Sequence, residues 1–235
     1  MAAAARSART SDRTAAHDQL VGDRIVRFDD GERILHWVVA VLVLVLAITG
    51  SILYFDFLST RVGRRELLRT IHLWTGLALP LPVLAVVAGK WRHGLRRDVA
   101  RVSRWTRDDS RFIRTLGRDP MIRAGKFNAG QKLNTLFIAA TLPVSLATGA
   151  MLGWPDPFPD SWRNGATTVH DWAAFGIWLV VTGHIVKALS EPVALRGMIS
   201  GRVPATWAKV HRPRWYERVV EDQGGDGNGG QRPLR

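Results

Sequence analysis

Two histidines, His170 and His184, sit fourteen positions apart in one apolar stretch, VHDWAAFGIWLVVTGHIVKA, from Val169 to Ala188. At about 1.5 Å per helical residue they lie roughly 21 Å apart along the axis, nearly four whole turns, so both rings point to nearly the same helix face. The stretch is about as long as a bilayer is thick. An ionisable side chain inside a membrane span is expensive and marks either function or a polar partner. Neutral imidazole is a common ligand for iron. Two on one stripe, at two depths, would serve two stacked metal centres. The alternative is that each ring is hydrogen-bonded to a neighbouring helix and holds the helices together.

The composition narrows the chemistry. The 235 residues carry a net charge of +13, with no cysteine and ten tryptophans. The missing cysteine excludes disulfides, thiolate-held iron–sulfur clusters, Cys-based zinc sites and thioether attachment of haem. Histidine remains as the metal ligand. In a soluble protein the charge would raise nucleic-acid binding; here it surrounds apolar spans, where positive charge gathers on the cytoplasmic side. No nucleic-acid partner is expected.

Four spans can position the histidines: about 34–55, 71–89, 133–152 and 169–190. Asp29 and Glu32 have capping-box spacing before the first. Pro80 and Pro82 predict a kink in the second, and Pro143 lies inside the third. The segment 90–132 is too basic for hydrocarbon and predicts a surface helix over about 99–116. Residues 1–24 read as a disordered basic arm and 217–235 as a disordered Gly-rich tail. Between them, 25–216 would be one membrane domain. The basic arm, middle segment and C-terminal segment place both termini in the cytoplasm, although four arginines in the first loop pull the other way. The expected fold is all-α: an integral membrane four-helix up-down-up-down bundle holding two haems b.

Depth carries the haem expectation. His36 begins the first span and His184 ends the fourth, at the cytoplasmic level. His72 begins the second span and His170 the fourth, at the outer level. His17, His93 and His211 fall outside the spans. Each intramembrane histidine thus has a partner of matching depth. Two histidines on opposite sides of a flat macrocycle complete six-coordinate haem iron, which moves electrons rather than making bonds. Arg33 reads as a haem-propionate partner or as a cytoplasmic anchor. The segment Phe127-Asn128-Ala129-Gly130-Gln131-Lys132 reads by itself as a helix entry with Asn128 as N-cap.

The residues then resemble a family. Glu32-Arg33-x-x-His36-Trp37, His72, the segment Lys126 to Lys132, the His170/His184 spacing, Gly197-Met198-Ile199-Ser200-Gly201, Trp207-Ala208-Lys209 and Pro213-Arg214-Trp215-Tyr216 are similar to the cytochrome b, or gamma, subunit of respiratory formate dehydrogenases. The likeness covers roughly residues 27–216 and leaves out the two ends. It implies that His72 and His170 hold the iron of an outer haem b, and His36 and His184 that of an inner one. It implies a menaquinone, or another quinone, bound by Asn128 and Gly130 with Gln131 beside them. It implies a formate dehydrogenase catalytic subunit and an iron–sulfur subunit as partners, in a bacterial inner membrane. No formate-oxidising site is expected in this chain. The same type of cytochrome could serve a hydrogenase or a thiosulfate-type reductase. A reading of another class is a haem-free membrane anchor.

Overall fold

The computed structural model describes residues 18–227. Two short strands come first, β1 (Leu20–Val21) and β2 (Arg24–Val26). They pair antiparallel around Gly22, whose φ of 62° suits a tight hairpin. Asp29 then caps the first long helix. Its Oδ1 accepts from the Glu32 N–H at 2.8 Å, and Glu32 Oε2 accepts from the Asp29 N–H at 2.9 Å. This reciprocal box is the one the spacing predicts, and α1 runs Asp30–Tyr54.

A short helix, α2 (Asp56–Val62), ends at left-handed Gly63. The second span is broken into α3 (Arg65–Ala78) and α4 (Pro80–Ala88). The break falls where the kink was expected: Pro80 has no N–H to continue the ladder and sits in the first turn of α4. Next come α5 (Arg92–Ser103) and α6 (Arg107–Thr115). The single surface helix expected over 99–116 is therefore corrected to two. Thr106 and Asp109 form a capping box that starts α6, so the chain leaves one helix and enters another. The third and fourth spans are α7 (Ala129–Gly153), which continues through Pro143, and α8 (Asp160–Ser190). After them come α9 (Pro192–Ser200), β3 (Arg202–Pro204), α10 (Ala205–His211) and α11 (Pro213–Gly227).

The chain divides into two units, one of Ile34–Arg92 with Leu133–Lys187, the other of the segments up to Arg33, His93–Lys132 and from Ala188 on. The first holds the four spans. Each span helix is long and apolar enough to cross a membrane, and no more than 11% of each apolar window is buried inside the chain. Trp74, Leu179 and Trp172 are more than 60% exposed. Apolar helices that keep their side chains outward need lipid around them, and their backbone groups are satisfied internally. Within the unit, an added Cβ on Gly153 would come 2.7 Å from Leu73 Cδ1. Trp178 Nε1 donates to Ser51 Oγ at 2.9 Å.

The second unit has its own small core. Strands β1-β2-β3 form an antiparallel sheet, with Ile25 opposite Val203. Both are fully buried, with Ala208, Trp215 and Val219 packed beside them. Trp215 and Val219 are one turn apart on α11, and Trp215 Nε1 donates to Asp18 Oδ1 at 2.8 Å. These contacts correct two expectations. Residues 18–24 of the expected disordered arm build the hairpin and its anchor, because Asp18 satisfies a buried indole. Residues 217–227 of the expected tail continue α11, because Val219 completes the apolar stripe. The rest of both segments lies outside the described residues. The mostly helical fold thus carries a three-stranded sheet that the apolar pattern did not announce.

This unit also buries charge. Arg27 lies under Phe28 and Trp207 and donates to the Lys126 carbonyl at 2.9 Å. Burial, reinforced by Arg212, pulls its guanidinium down to about 9. Lys126 Nζ donates to Asp98 at 2.6 Å and to Glu32 at 3.3 Å. Burial and the adjacent Glu32 push the Asp98 carboxyl up to about 7, against the pull of Lys126. Lys132 Nζ donates to Asp109 at 2.7 Å. Burial alone would raise the Asp109 carboxyl, but hydrogen bonds from Lys132 and Thr106 outweigh it and hold it below the usual range.

Candidate functional site

The four span histidines meet in two pairs. His36 on α1 faces His184 on α8, with ring centroids 6.1 Å apart and planes at 60°. His72 on α3 faces His170 on α8, with centroids 6.2 Å apart and planes at 71°. The helix α8 supplies one member to each pair and sets their spacing, while α1 and α3 bring the other two. These are the pairs that depth in the sequence predicts.

The separations fit a shared metal. A metal–imidazole nitrogen bond of about 2.0–2.1 Å on each side, plus roughly 1.1 Å from nitrogen to ring centre, would leave the two centroids up to about 6.3 Å apart. Edge-to-face ring contacts span about the same distance, so the fit to a metal rests on the ligand set as well as on the gap. Among the described residues no third His, Cys, Asp or Glu joins either pair to make a metal cluster. Structural zinc and calcium sites draw four or more ligands from protein or water. A site with two protein nitrogens suits a metal whose other positions are filled by a macrocycle.

The His72–His170 pair opens on a cavity of about 1040 Å³, large enough for a cofactor. Apolar Leu46, Leu73 and Leu142 line it, and Arg65 and Arg69 add positive charge. Two glycines seat the rings. An added Cβ on Gly50 would stand 3.1 Å from His72 Cε1, and one on Gly149 would stand 3.2 Å from His170 Cε1. The residue before each glycine bonds the same ring: Thr49 Oγ1 is 2.9 Å from His72 Nδ1, and Thr148 Oγ1 is 3.0 Å from His170 Nδ1. Sequence reasoning missed all four of these residues. The available signal was a repeat: Ile48-Thr49-Gly50 in the first span and Ala147-Thr148-Gly149 in the third, each followed by a span with a histidine.

The segment before α7 is a helix cap. Asn128 Oδ1 accepts from the Gln131 N–H at 2.9 Å, and Gln131 Oε1 accepts from the Asn128 N–H at 3.1 Å. The acceptor of Gln131 is therefore engaged in the cap. Asn128 is 8% exposed and also lines a cavity of about 520 Å³ with Phe112, Phe127 and Lys132. Gly130 and Gln131 are not among the residues lining it. An added Cβ on Gly130 would make only ordinary contacts, 3.5 Å from Asn128 Oδ1 and 3.8 Å from Phe112. Arg33 forms an ion pair with Asp30 at 2.9 Å and donates to the Ile199 carbonyl. That geometry is an anchor rather than a free cation.

A family model for prokaryotic cytochrome b561 matches residues 27–201. The chain is 28% identical over 206 residues to the formate dehydrogenase cytochrome b556(fdo) subunit of Escherichia coli (strain K12), an alignment covering 84% of this chain and 94% of that protein. It is 27% identical over 207 residues to the formate dehydrogenase cytochrome b556 subunit of Haemophilus influenzae, covering 84% of each. The nitrate-inducible cytochrome b556(Fdn) subunit of Escherichia coli (strain K12) is also 27% identical, with 83% and 91% covered. A cytochrome b carries haem b, and the paired histidines fit that group. Four membrane-length helices and the match across residues 27–201 place this membrane protein in one family: the chain belongs to the prokaryotic cytochromes b561.

Proposed function

We propose that this chain is the di-haem cytochrome b subunit of a formate dehydrogenase, carrying electrons from an iron–sulfur subunit to menaquinone or another quinone. One observation carries the reading: two histidine pairs with centroids 6.1 and 6.2 Å apart on the membrane helices. When bound, a six-coordinate haem b supplies reversible one-electron chemistry at iron. The chain does the rest. His36 and His184 hold one haem, and His72 and His170 hold the other. The apolar cavity walls would keep water from a bound haem, and Arg69, with Arg65 tethered to Leu53 O and Ser59 Oγ, would supply positive charge at the cavity. Two iron positions, fourteen residues apart along α8, would be about 21 Å apart and together span most of the hydrocarbon core.

The names of the relatives favour a formate dehydrogenase catalytic subunit over a hydrogenase or a thiosulfate-type reductase as the partner. The basic flanks favour cytoplasmic termini in a bacterial inner membrane. Quinone reduction is assigned to the Asn128 region. With Oδ1 engaged in the cap, the side-chain NH₂ is the group left to donate to a quinone oxygen. Gly130 and Gln131 contribute through the backbone and the cap.

The test is a dithionite-reduced minus oxidised spectrum of purified protein with a haem-to-protein ratio. Two acid–acetone-extractable haems b per chain are expected. One haem, or none, in folded protein overturns the proposal and leaves a mono-haem cytochrome or a plain anchor.

A further inference from the structure

We infer that Thr49 and Thr148 are positioning residues for the His72–His170 centre, each fixing its histidine in the tautomer that presents Nε2 to a metal. The inference rests on the di-haem reading and on the number of protons each hydroxyl holds. A threonine hydroxyl has one proton to donate. Thr49 Oγ1 donates to the Val45 carbonyl at 2.7 Å, with Leu46 O at 3.3 Å as a weaker second acceptor. The same oxygen is 2.9 Å from His72 Nδ1. With its proton engaged along the helix, the hydroxyl can only accept from the ring, so Nδ1 carries the imidazole proton. In a neutral ring that leaves the lone pair on Nε2.

Thr148 repeats every part of this. Its Oγ1 donates to the Val144 carbonyl at 2.8 Å, with Ser145 O at 3.3 Å, and lies 3.0 Å from His170 Nδ1. The glycine after each threonine seats the same ring. The first and second spans, and the third and fourth, thus build the same cradle: a Thr-Gly step on one helix and a histidine on the next. Independent repetition on both sides of one centre is hard to ascribe to incidental packing. Threonine in a helix commonly bonds back to the carbonyl four residues earlier. Here that habit aims the remaining lone pairs at a ring on the neighbouring helix.

A bonded Nδ1–H does more than orient. Outer-shell hydrogen bonds of this kind fix the tautomer and raise the basicity of the ligating nitrogen. A more basic ligand favours the ferric state, so the hydroxyls should hold the potential of this one centre down.

The experiment uses the full chain with its partner subunits in detergent. Spectroelectrochemical titrations compare wild type with Thr49→Val, Thr148→Val and the corresponding Ser variants. Valine keeps the shape and removes the oxygen; serine keeps the oxygen and removes the methyl. The component lost in His72→Ala identifies the centre. Its midpoint should rise in either Val variant by up to about tenfold in the ferric–ferrous equilibrium, or 59 mV for one electron. The other component should stay where it is, and serine should restore the wild-type value. Two retained components with unchanged midpoints in both Val variants overturn the threonine assignment and leave the di-haem reading standing. Wild-type protein without two components overturns the di-haem reading itself. Should a Val variant lose its haem, the Ser variant decides: a wild-type midpoint supports the hydroxyl's role, and a shifted one refutes it.

Discussion

His36 and His184 hold their ring centroids 6.1 Å apart, although they lie near opposite ends of the spans that carry them. With four spans, the start of α1 and the end of α8 lie at the same level, and a histidine stands at each of these two crossings. His72 and His170, each in the first half of its own span, meet in the same way at 6.2 Å. His36→Ala and His184→Ala should therefore abolish the same redox component. His72→Ala and His170→Ala should abolish the other. Redox titration of the four variants reads the pairing directly, and loss of one shared component in His36→Ala and His72→Ala would contradict it.

Gly201 sets a stability prediction outside the spans. Its φ is 80°, and an added Cβ would stand 2.7 Å from the Phe28 carbonyl oxygen. Its own carbonyl accepts from the N–H groups of Arg27 and Phe28 at 2.8 and 3.1 Å. Gly201→Ala must strain the backbone or break this joint, at about 1–3 kcal/mol. Gly183→Ala is the control, because an added Cβ there meets nothing within 4 Å. Thermal unfolding in detergent should fall by several degrees for the first and stay level or rise for the second. The reverse order would contradict the geometry.

The fold was legible where the physics is local. Apolar runs of bilayer length announced four spans, Pro80 announced the break, and Asp29 with Glu32 announced the first cap. The pairing of histidines followed because depth in a membrane is a one-dimensional coordinate that sequence position measures. What stayed hidden depends on distant partners. Lys126 and Lys132 lie in a stretch whose basic character gave no sign of burial, yet they are buried against Asp98 and Asp109, 28 and 23 residues away. Arg27 gave no sign that Phe28 and Trp207 would cover it. The strands near residues 20–26 are too short to show a period. Thr49 and Thr148 looked like ordinary span residues, since the ring each one bonds belongs to the next helix.

Asp98 makes a pH prediction. In the folded chain, burial and Glu32 raise its carboxyl to about 7. The unfolded chain releases that proton near pH 4. The folded state therefore binds more protons between these values. The stability this contributes is complete below about pH 4 and is lost as pH rises through 7. Lys126 and Arg101 also face the carboxylate, at 2.6 and 3.0 Å. The value of about 7 already contains the pull of Lys126, and between pH 5 and 8 the loss should be on the order of 2 kcal/mol. Asp98→Asn cannot titrate and keeps Glu32 as the partner of Lys126. Relative to it, wild type should lose denaturant resistance between pH 5 and 8, by roughly the amount given above. Parallel curves for the two proteins would show that Asp98 stays ionised throughout.

Asn128 carries two roles that one substitution can separate. Its Oδ1 caps α7 through the Gln131 N–H, and its NH₂ is the proposed donor to quinone. Asn128→Ala removes both. It should lower stability by about 1 kcal/mol through the lost cap and should slow reoxidation of the reduced haems by added quinone. Asn128→Asp keeps an oxygen for the cap, since Asp and Asn serve equally well there, but cannot donate from that position when ionised. It should unfold at the wild-type temperature, retain both haem spectra and still accept electrons from the partner enzyme. A donor aimed at developing negative charge in a preorganised site contributes about 3 kcal/mol, or 100-fold or more in rate. A site partly open to water should lose less, so a slowing of at least several-fold is expected. Stopped-flow reoxidation, normalised to haem content, measures it. Normal reoxidation in Asn128→Asp beside a destabilised Asn128→Ala would reduce Asn128 to a helix cap and move the quinone elsewhere. Slow reoxidation in both, with only Asn128→Ala destabilised, would assign the amide NH₂ to the quinone.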